Sequence, residues 1–335
     1  MEQEAFGSIR GFNYIPGYSR TDMAWWDDFR SDVISRELSH GRDLFPSFTT
    51  VRVFLGYNAY LADPVQFGQN LEAFLAIADD LGLATIPTLF NRWHTGKPDF
   101  GGIYIDHFLP GRSYLQFDEK GAGDSFRTAI AFDRQFAGYV AEVVGAHAAD
   151  ARISLWDLCN EPFFAPAPAP EDEVTNAEYS WLGLVAEEVR SHRPSAPITI
   201  GTHALHGVAG VARVEPLCDV LSTHPYVDNI WYPDRDAFLV FLDELVDYAT
   251  TVGKPILASE TVWGSLDDAQ RVGTLRFTLD ALSRRGIGFL CYGLNHSRAA
   301  DLHRPEFGSV GSAGSCAFIE SDGRLRVGHE AFNEY

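Results

Sequence analysis

Two glutamates carry the first argument. Glu161 closes the run Trp156-Asp157-Leu158-Cys159-Asn160-Glu161, and Glu260 closes Pro255-Ile256-Leu257-Ala258-Ser259-Glu260. Each ends a short apolar, β-rich segment, where a carboxylate is costly to bury unless it is paired or functional. Two carboxylates facing one mouth offer a definite chemistry: one, kept protonated, gives its proton to a leaving oxygen, and the other attacks or activates water. Glycoside hydrolysis needs such a pair. Arg52, in Val51-Arg52-Val53, is a cation available to hold the ionised member. Taken singly, either glutamate also reads as half of a structural ion pair, and Arg52 as an ion-pair partner inside a core.

The elements that must position these residues follow from periodicity. Apolar runs at 9–14, 50–55, 84–90, 153–158, 197–201, 219–223, 255–259 and 287–293 read as strands. Helical patterns fall between and after them, at about 23–45, 66–81, 126–148, 172–192, 208–214, 235–251, 266–285 and 329–335. The strand runs are continuously apolar, as parallel strands buried on both faces must be. Eight strand–helix units in 335 residues predict an α/β fold, a (β/α)8 TIM barrel in a single domain spanning 1–335. A doubly wound open sheet would carry a Gly-rich phosphate turn after its first strand. The first strand instead runs into Asn13-Tyr14-Ile15-Pro16-Gly17. The stretch Ala165–Pro170 reads as a stiff loop after strand four, and 91–125 as a long loop over the C-terminal face.

Sites in such barrels lie at the C-terminal strand ends. The polar residues expected there are Asn13 and Tyr14, Arg52, Asn91 with Trp93 and His94, Asn160 and Glu161, His203 and His206, His224 and Tyr226, Glu260, and Tyr292 with Asn295 and His296. Several of these segments resemble glycoside hydrolase family 5, the cellulase-like branch of a clan of retaining (β/α)8 hydrolases. Trp156–Pro162 resembles its Asn-Glu-Pro signature, and Leu257-Ala258-Ser259-Glu260 its strand-seven nucleophile segment. Ser222-Thr223-His224-Pro225-Tyr226 resembles its strand-six His-x-Tyr element, Val51-Arg52-Val53 its strand-two arginine, and Gly11-Phe12-Asn13-Tyr14 its strand-one opening. The likeness runs from about residue 9 to 333.

The resemblance implies a role for each matching residue. Glu161 is the acid/base and Glu260 the nucleophile; Asn160 bonds the sugar 2-hydroxyl. Arg52 and Tyr226 position Glu260 and keep it ionised. His224 orients the acid/base or lines the subsite beside the cleaved bond. The implied substrates are β-linked, gluco- or manno-configured oligosaccharides or glycosides. A transglycosylase using the same pair, and a sugar-binding barrel without hydrolysis, are the alternatives. Two departures from the family pattern stand out. Phe289–Leu294 holds no tryptophan where the family places a sugar platform, which leaves Tyr292 or Trp263 for that task. The strand-three histidine has only His94 as a candidate.

Composition narrows the partners. The net charge of −20 counts against nucleic acid and anionic membranes, both of which need a basic face. No apolar stretch of about 18 residues is present. The acidic start Met1-Glu2-Gln3-Glu4-Ala5 lacks a secretory pattern, so a cytoplasmic location is expected. Cys159, Cys218, Cys291 and Cys316 form no CxxC pair, and neither a disulfide framework nor a zinc site is expected. His203, His206, His296 and His303 would suit a metal-dependent barrel hydrolase of the amidohydrolase type. That class needs His-x-His on strand one, where Phe12-Asn13-Tyr14 stands. The expectation is therefore no metal and no cofactor. Tyr18, Trp25, Trp26, Tyr57, Tyr60, Trp93, Tyr104, Trp231, Tyr232 and Trp263 lie outside the periodic runs, and each reads either as a ring for sugar stacking or as packing.

Overall fold

A computed structural model describes residues 3–19, 23–91, 136–163, 173–229, 232–297 and 315–335. Eight parallel strands close into a barrel in sequence order, each paired with the next and β8 with β1. They are β1 (Arg10–Asn13), β2 (Thr50–Phe54), β3 (Ala84–Asn91), β4 (Trp156–Asn160), β5 (Ile198–His203), β6 (Leu221–His224), β7 (Ile256–Thr261) and β8 (Gly288–Tyr292). The described helices are α1 (Gln3–Gly7), α2 (Ser31–Leu44), α3 (Tyr57–Ala62), α4 (Pro64–Asp80), α5 (Ala137–Val140), α6 (Glu173–Ser191), α7 (Gly207–Val214), α8 (Arg235–Val252) and α9 (Asp268–Ser283), with a 3-10 turn at His329–Glu334. This is the (β/α)8 architecture that the alternation implied.

Helix starts are written in local chemistry. Asp63, Asp234 and Asp267 accept from the backbone N–H groups of Gln66, Asp236 and Gln270, capping α4, α8 and α9. Pro64 opens α4, where no N–H is needed. Gly253 ends α8 in the left-handed conformation.

Two apolar layers result. The larger core lies between barrel and helices and takes in Phe12, Val51, Val53, Phe74, Leu158, Phe289 and Phe332. A separate cluster of Ile86, Leu155, Val220, Leu257 and Leu290 joins Phe6 and Ile9. These inward positions fill the N-terminal end of the barrel, with α1 beneath them. The polar side chains are thereby left for the opposite end.

Several boundaries differ from the sequence reading. The helix expected over 23–45 is a 3-10 turn at Ala24–Trp26 followed by α2 from Ser31. Trp25 and Trp26 are the cause: they stack on each other at 4.0 Å, and the Trp26 indole N–H donates to the Phe54 carbonyl at 2.6 Å. They anchor a loop to β2 and do not lie along a helix face. The fourth strand begins at Trp156, because Ile153 makes only an isolated bridge to Thr85. That shift keeps Asn160 within the strand. The short helices α1 and α3 went unread. Of the helix expected at 126–148, residues 137–140 are α-helical and 141–145 π-helical, while 126–135 lie outside the described residues. So do positions 92–125 of the long loop and all of Ala165–Pro170.

Candidate active site

Arg52 stands at the centre of the C-terminal end of the barrel, fully buried. Between hydrophobic Val51 and Val53, strand alternation turns it inward. Its five N–H groups meet five acceptor contacts. Nε and Nη2 donate to Asp157 Oδ2 at 3.0 and 2.6 Å. Nη2 also donates to Asn160 Oδ1 at 2.7 Å, and Nη1 to Asn13 Oδ1 at 2.7 Å and Glu260 Oε1 at 2.6 Å. One buried cation thus ties β1, β2, β4 and β7 together.

Glu260 accepts at both oxygens. Oε1 takes Arg52, and Oε2 takes the Tyr226 hydroxyl at 2.8 Å. Burial and the neighbouring carboxylate push the Tyr226 phenol well above its ordinary range, so it stays a donor. Glu161 is in another environment. One of its oxygens lies 2.5 Å from His224 Nδ1. Burial raises the Glu161 carboxyl above the usual carboxylate range, against the bond to His224, and nearby Glu260 raises it further. Burial also pushes the His224 imidazole down to about 4. Both shifts act against the charged forms of Glu161 and His224.

Local backbone aims both glutamates. The β4–β5 register is irregular between Asp157 and Asn160, just before Glu161 follows the end of β4, and the β7–β8 register between Ala258 and Thr261, the stretch of β7 that holds Glu260. Such irregularities redirect side chains. Glu161 has φ of 47°, a left-handed conformation uncommon for a residue with a side chain, held by its N–H bond to the Gly201 carbonyl at 2.7 Å. An oxygen of Glu161, an oxygen of Glu260 and a His224 nitrogen lie within 4.8 Å of one another.

Those three groups are also a possible metal set by type. The Nδ1–Oε1 separation of 2.5 Å speaks against one ion bridging them. Ligands about 2.1 Å from a tetrahedral ion stand roughly 3.4 Å apart, so this pair is at hydrogen-bonding distance. His203, His206 and His296 enter no metal-competent group among the described residues. His203 Nδ1 accepts from the Leu205 N–H, and burial pushes His206 down to about 4.

Other expected residues are placed as follows. Asn160 bonds Arg52 through its oxygen and donates from Nδ2 to Asn91 Oδ1 at 3.0 Å. Trp263, half-buried, meets Tyr226 edge-on at 5.3 Å between centroids. Tyr292 ends β8 and is half-buried. His94, with Trp93, Tyr104, Trp231 and His303, lies outside the described residues. Trp25, Trp26, Tyr57 and Tyr60 are buried in the core and are packing, not platforms.

Sequence reading missed three members of this cluster. Asp157 is fully buried and holds Arg52 from beneath; its other oxygen accepts the Gly201 N–H at 3.2 Å. A charged residue inside Trp156–Asn160 carries the same burial argument that singled out Glu161. Ser259 and Ser222, bonded to each other at 2.6 Å, reach His224 Nε2 through Ser259 Oγ at 3.0 Å. Small hydroxyl residues in strands are too common to have flagged them.

Comparison with protein-family models finds no match, and comparison with curated protein sequences finds none. Solved structures do match. The exo-β-1,4-mannosidase of Opitutaceae bacterium strain TAV5 is 21% identical with a TM-score of 0.69, over 97% of this chain and 58% of that one. The endo-1,4-β-D-mannanase of Thermotoga petrophila RKU-1 is 16% identical with a TM-score of 0.68, over 98% of both chains. A family 5 glycoside hydrolase mannosidase from Rhizomucor miehei is 16% identical with a TM-score of 0.67, over 97% of this chain and 92% of that one. The chain thus spans somewhat over half of the first of these enzymes and nearly all of the other two. At such identities the likeness establishes the shared (β/α)8 fold.

Proposed function

We propose that this chain is a retaining β-glycoside hydrolase of family 5, or of a close relative in the same clan, acting on manno- or gluco-configured oligosaccharides. One observation carries the reading: two buried glutamates approach within 4.8 Å across the barrel mouth in opposite electrostatic settings. Retaining enzymes hold their carboxyl groups about 5–5.5 Å apart, and inverting ones leave about 6.5–9.5 Å for a water. The family and its mechanism were implied by the strand motifs. The mannosidase and mannanase neighbours support them and tilt the sugar toward mannose.

In this account Glu260 attacks the anomeric carbon while Glu161 gives its proton to the leaving oxygen. A glycosyl ester forms on Glu260 and the leaving group departs as an alcohol. Glu161, now ionised, takes a proton from water, whose oxygen displaces Glu260. The environments suit these roles. Glu260 accepts from a cation and a phenol, which favours negative charge on it. Burial raises the Glu161 carboxyl above the usual carboxylate range, which favours the protonated form an acid needs. Among the described residues Asn160 Nδ2 has one partner, Asn91, and its second N–H can meet the sugar 2-hydroxyl. Trp263 and Tyr292 flank the cluster as candidate sugar platforms.

The test is a panel of aryl β-glycosides in manno, gluco and galacto series, run with Glu161→Gln and Glu260→Gln as controls. Turnover in the manno or gluco series, lost in both variants, is the expected result. Wild-type inactivity on every member, with binding of the sugars retained, would assign the barrel to sugar binding alone.

A further inference from the structure

Burial disfavours the charged form of His224, whose neutral ring carries one N–H, and which nitrogen bears it decides where the Glu161 proton sits. Nδ1 faces Glu161 Oε1 at 2.5 Å, and Nε2 faces Ser259 Oγ at 3.0 Å. Ser259 Oγ lies 2.6 Å from Ser222 Oγ, and the structure gives Ser222 Oγ no other hydrogen-bond partner among the described residues. All three side chains are buried: exposure is 2% for Ser222, 1% for Ser259 and 0% for His224.

Donor counting then picks a direction. In one arrangement Ser222 donates to Ser259, Ser259 donates to Nε2, and Nδ1–H donates to Glu161; these three donors have acceptors, and the one donor left over is the Glu161 acid proton, on a side chain that keeps 5% exposure at the barrel mouth. In the reverse, Nε2–H donates to Ser259 and Ser259 to Ser222, which leaves the Ser222 O–H buried with no acceptor. A buried donor without a partner is the costlier defect. The wall around the imidazole is closed as well. A Cβ on Gly201 would stand 2.7 Å from Nε2 and 3.2 Å from Ser259 Oγ, so β5 passes too close for another group to enter. The Ser259 carbonyl accepts from Asn13 Nδ2 at 2.8 Å, which fixes β7 at this point.

We propose that Ser259, backed by Ser222, is a positioning residue that holds His224 as its Nδ1–H tautomer, leaving the acid proton of Glu161 on the carboxyl oxygen that does not face His224. The proposal rests on Glu161 being the acid/base. With Nδ1–H donating to Oε1, the mobile proton belongs to the other oxygen, free to pass to a leaving group. With the opposite tautomer, Oε1–H would bond Nδ1 and the proton would be turned away. The groups facing this pair are Glu260 from β7, Arg52 from β2, Tyr226 beyond β6 and His203 from β5.

Nitrogen-15 NMR of histidine-labelled protein reads the tautomer directly, with His224→Gln to assign the signal. Wild type is expected to show a proton on Nδ1 and an Nε2 acceptor in a hydrogen bond. Ser259→Ala should move the Nε2 signal toward that of an unbonded nitrogen, Ser259→Thr should restore it, and Ser222→Ala should move it less in the same direction. On phenyl β-mannoside, Ser259→Ala should lower kcat/KM about fivefold, the scale of one lost neutral hydrogen bond, and shift the basic limb to higher pH. On the dinitrophenyl glycoside, which needs little acid help, kcat/KM should stay within about twofold. A wild-type proton on Nε2, or an Nε2 signal unmoved in Ser259→Ala, overturns the proposal. The NMR result needs no turnover, so inactivity on all glycosides would count against the proposed reaction and leave the tautomer to be decided on its own.

Discussion

Arg52 ties four strands together and bonds the proposed nucleophile Glu260. Its charge is offset by Asp157 and Glu260, at 2.6 Å each, and the Arg52 and Asp157 side chains are fully buried. Breaking a buried pair by removing one partner typically costs about 3–5 kcal/mol. Arg52→Met should therefore lose stability on that scale in urea denaturation, and lower kcat/KM at least about tenfold, since a lost charge-assisted bond is worth ~1.5–3 kcal/mol. Near-wild-type turnover in a destabilised Arg52→Met would make the arginine purely structural. Much at this scale was legible. Glu161, Glu260, Tyr226 and His224 were picked at or just past strand ends and Arg52 from within strand two, and the structure gathers them into one bonded cluster. Asp157 escaped because strand four was searched only at its end, and an inward position at the second residue of β4 reaches the same cluster from below.

At the scale of elements, continuous apolar runs revealed all eight strands, because a strand buried on both faces admits little else. Helix boundaries were less legible where aromatic residues anchor loops, as Trp25 and Trp26 do. The helix α1 left no periodic signal at all; five residues are too few to show one. Its effect is nonetheless physical. Gly288 opens β8 against α1, and a Cβ there would overlap the Phe6 carbonyl oxygen. Backbone cannot give way as a flexible side chain does. Gly288→Ala should cost about 1–3 kcal/mol, the range for overpacking. A urea midpoint unchanged from wild type would mean that α1 does not seal the barrel as described.

The whole molecule carries a pH dependence written by buried imidazoles. Burial pushes His206 and His224 down to about 4 and His329 to about 3, from an ordinary value near 6.5. Between these values the unfolded chain takes up protons that the folded chain refuses. The stability linked to each histidine is complete above pH 6.5 and is lost as pH falls toward its folded value. His329 lies far from the glutamates in sequence and packs against Phe318 and Arg271. His329→Gln should thus flatten the fall of urea-unfolding stability between pH 6.5 and 4, relative to wild type. Equal slopes would show that this imidazole titrates alike in both states. Sugar preference was the least legible property at this scale. No spacing rule reads polar, aperiodic loop sequence, where binding residues concentrate.

Glu260 and Glu161, as proposed, divide the work of double displacement. The most direct measurement is azide rescue of the two alanine variants on a dinitrophenyl β-glycoside, with the product configuration read by NMR. Glu161→Ala should still form the glycosyl-enzyme, stall there, and be relieved by azide to give a β-glycosyl azide of retained configuration. Glu260→Ala should be inactive by itself, and azide should give at most the inverted α-glycosyl azide. Swapped outcomes would exchange the roles, and undiminished hydrolysis in both variants would contradict the account.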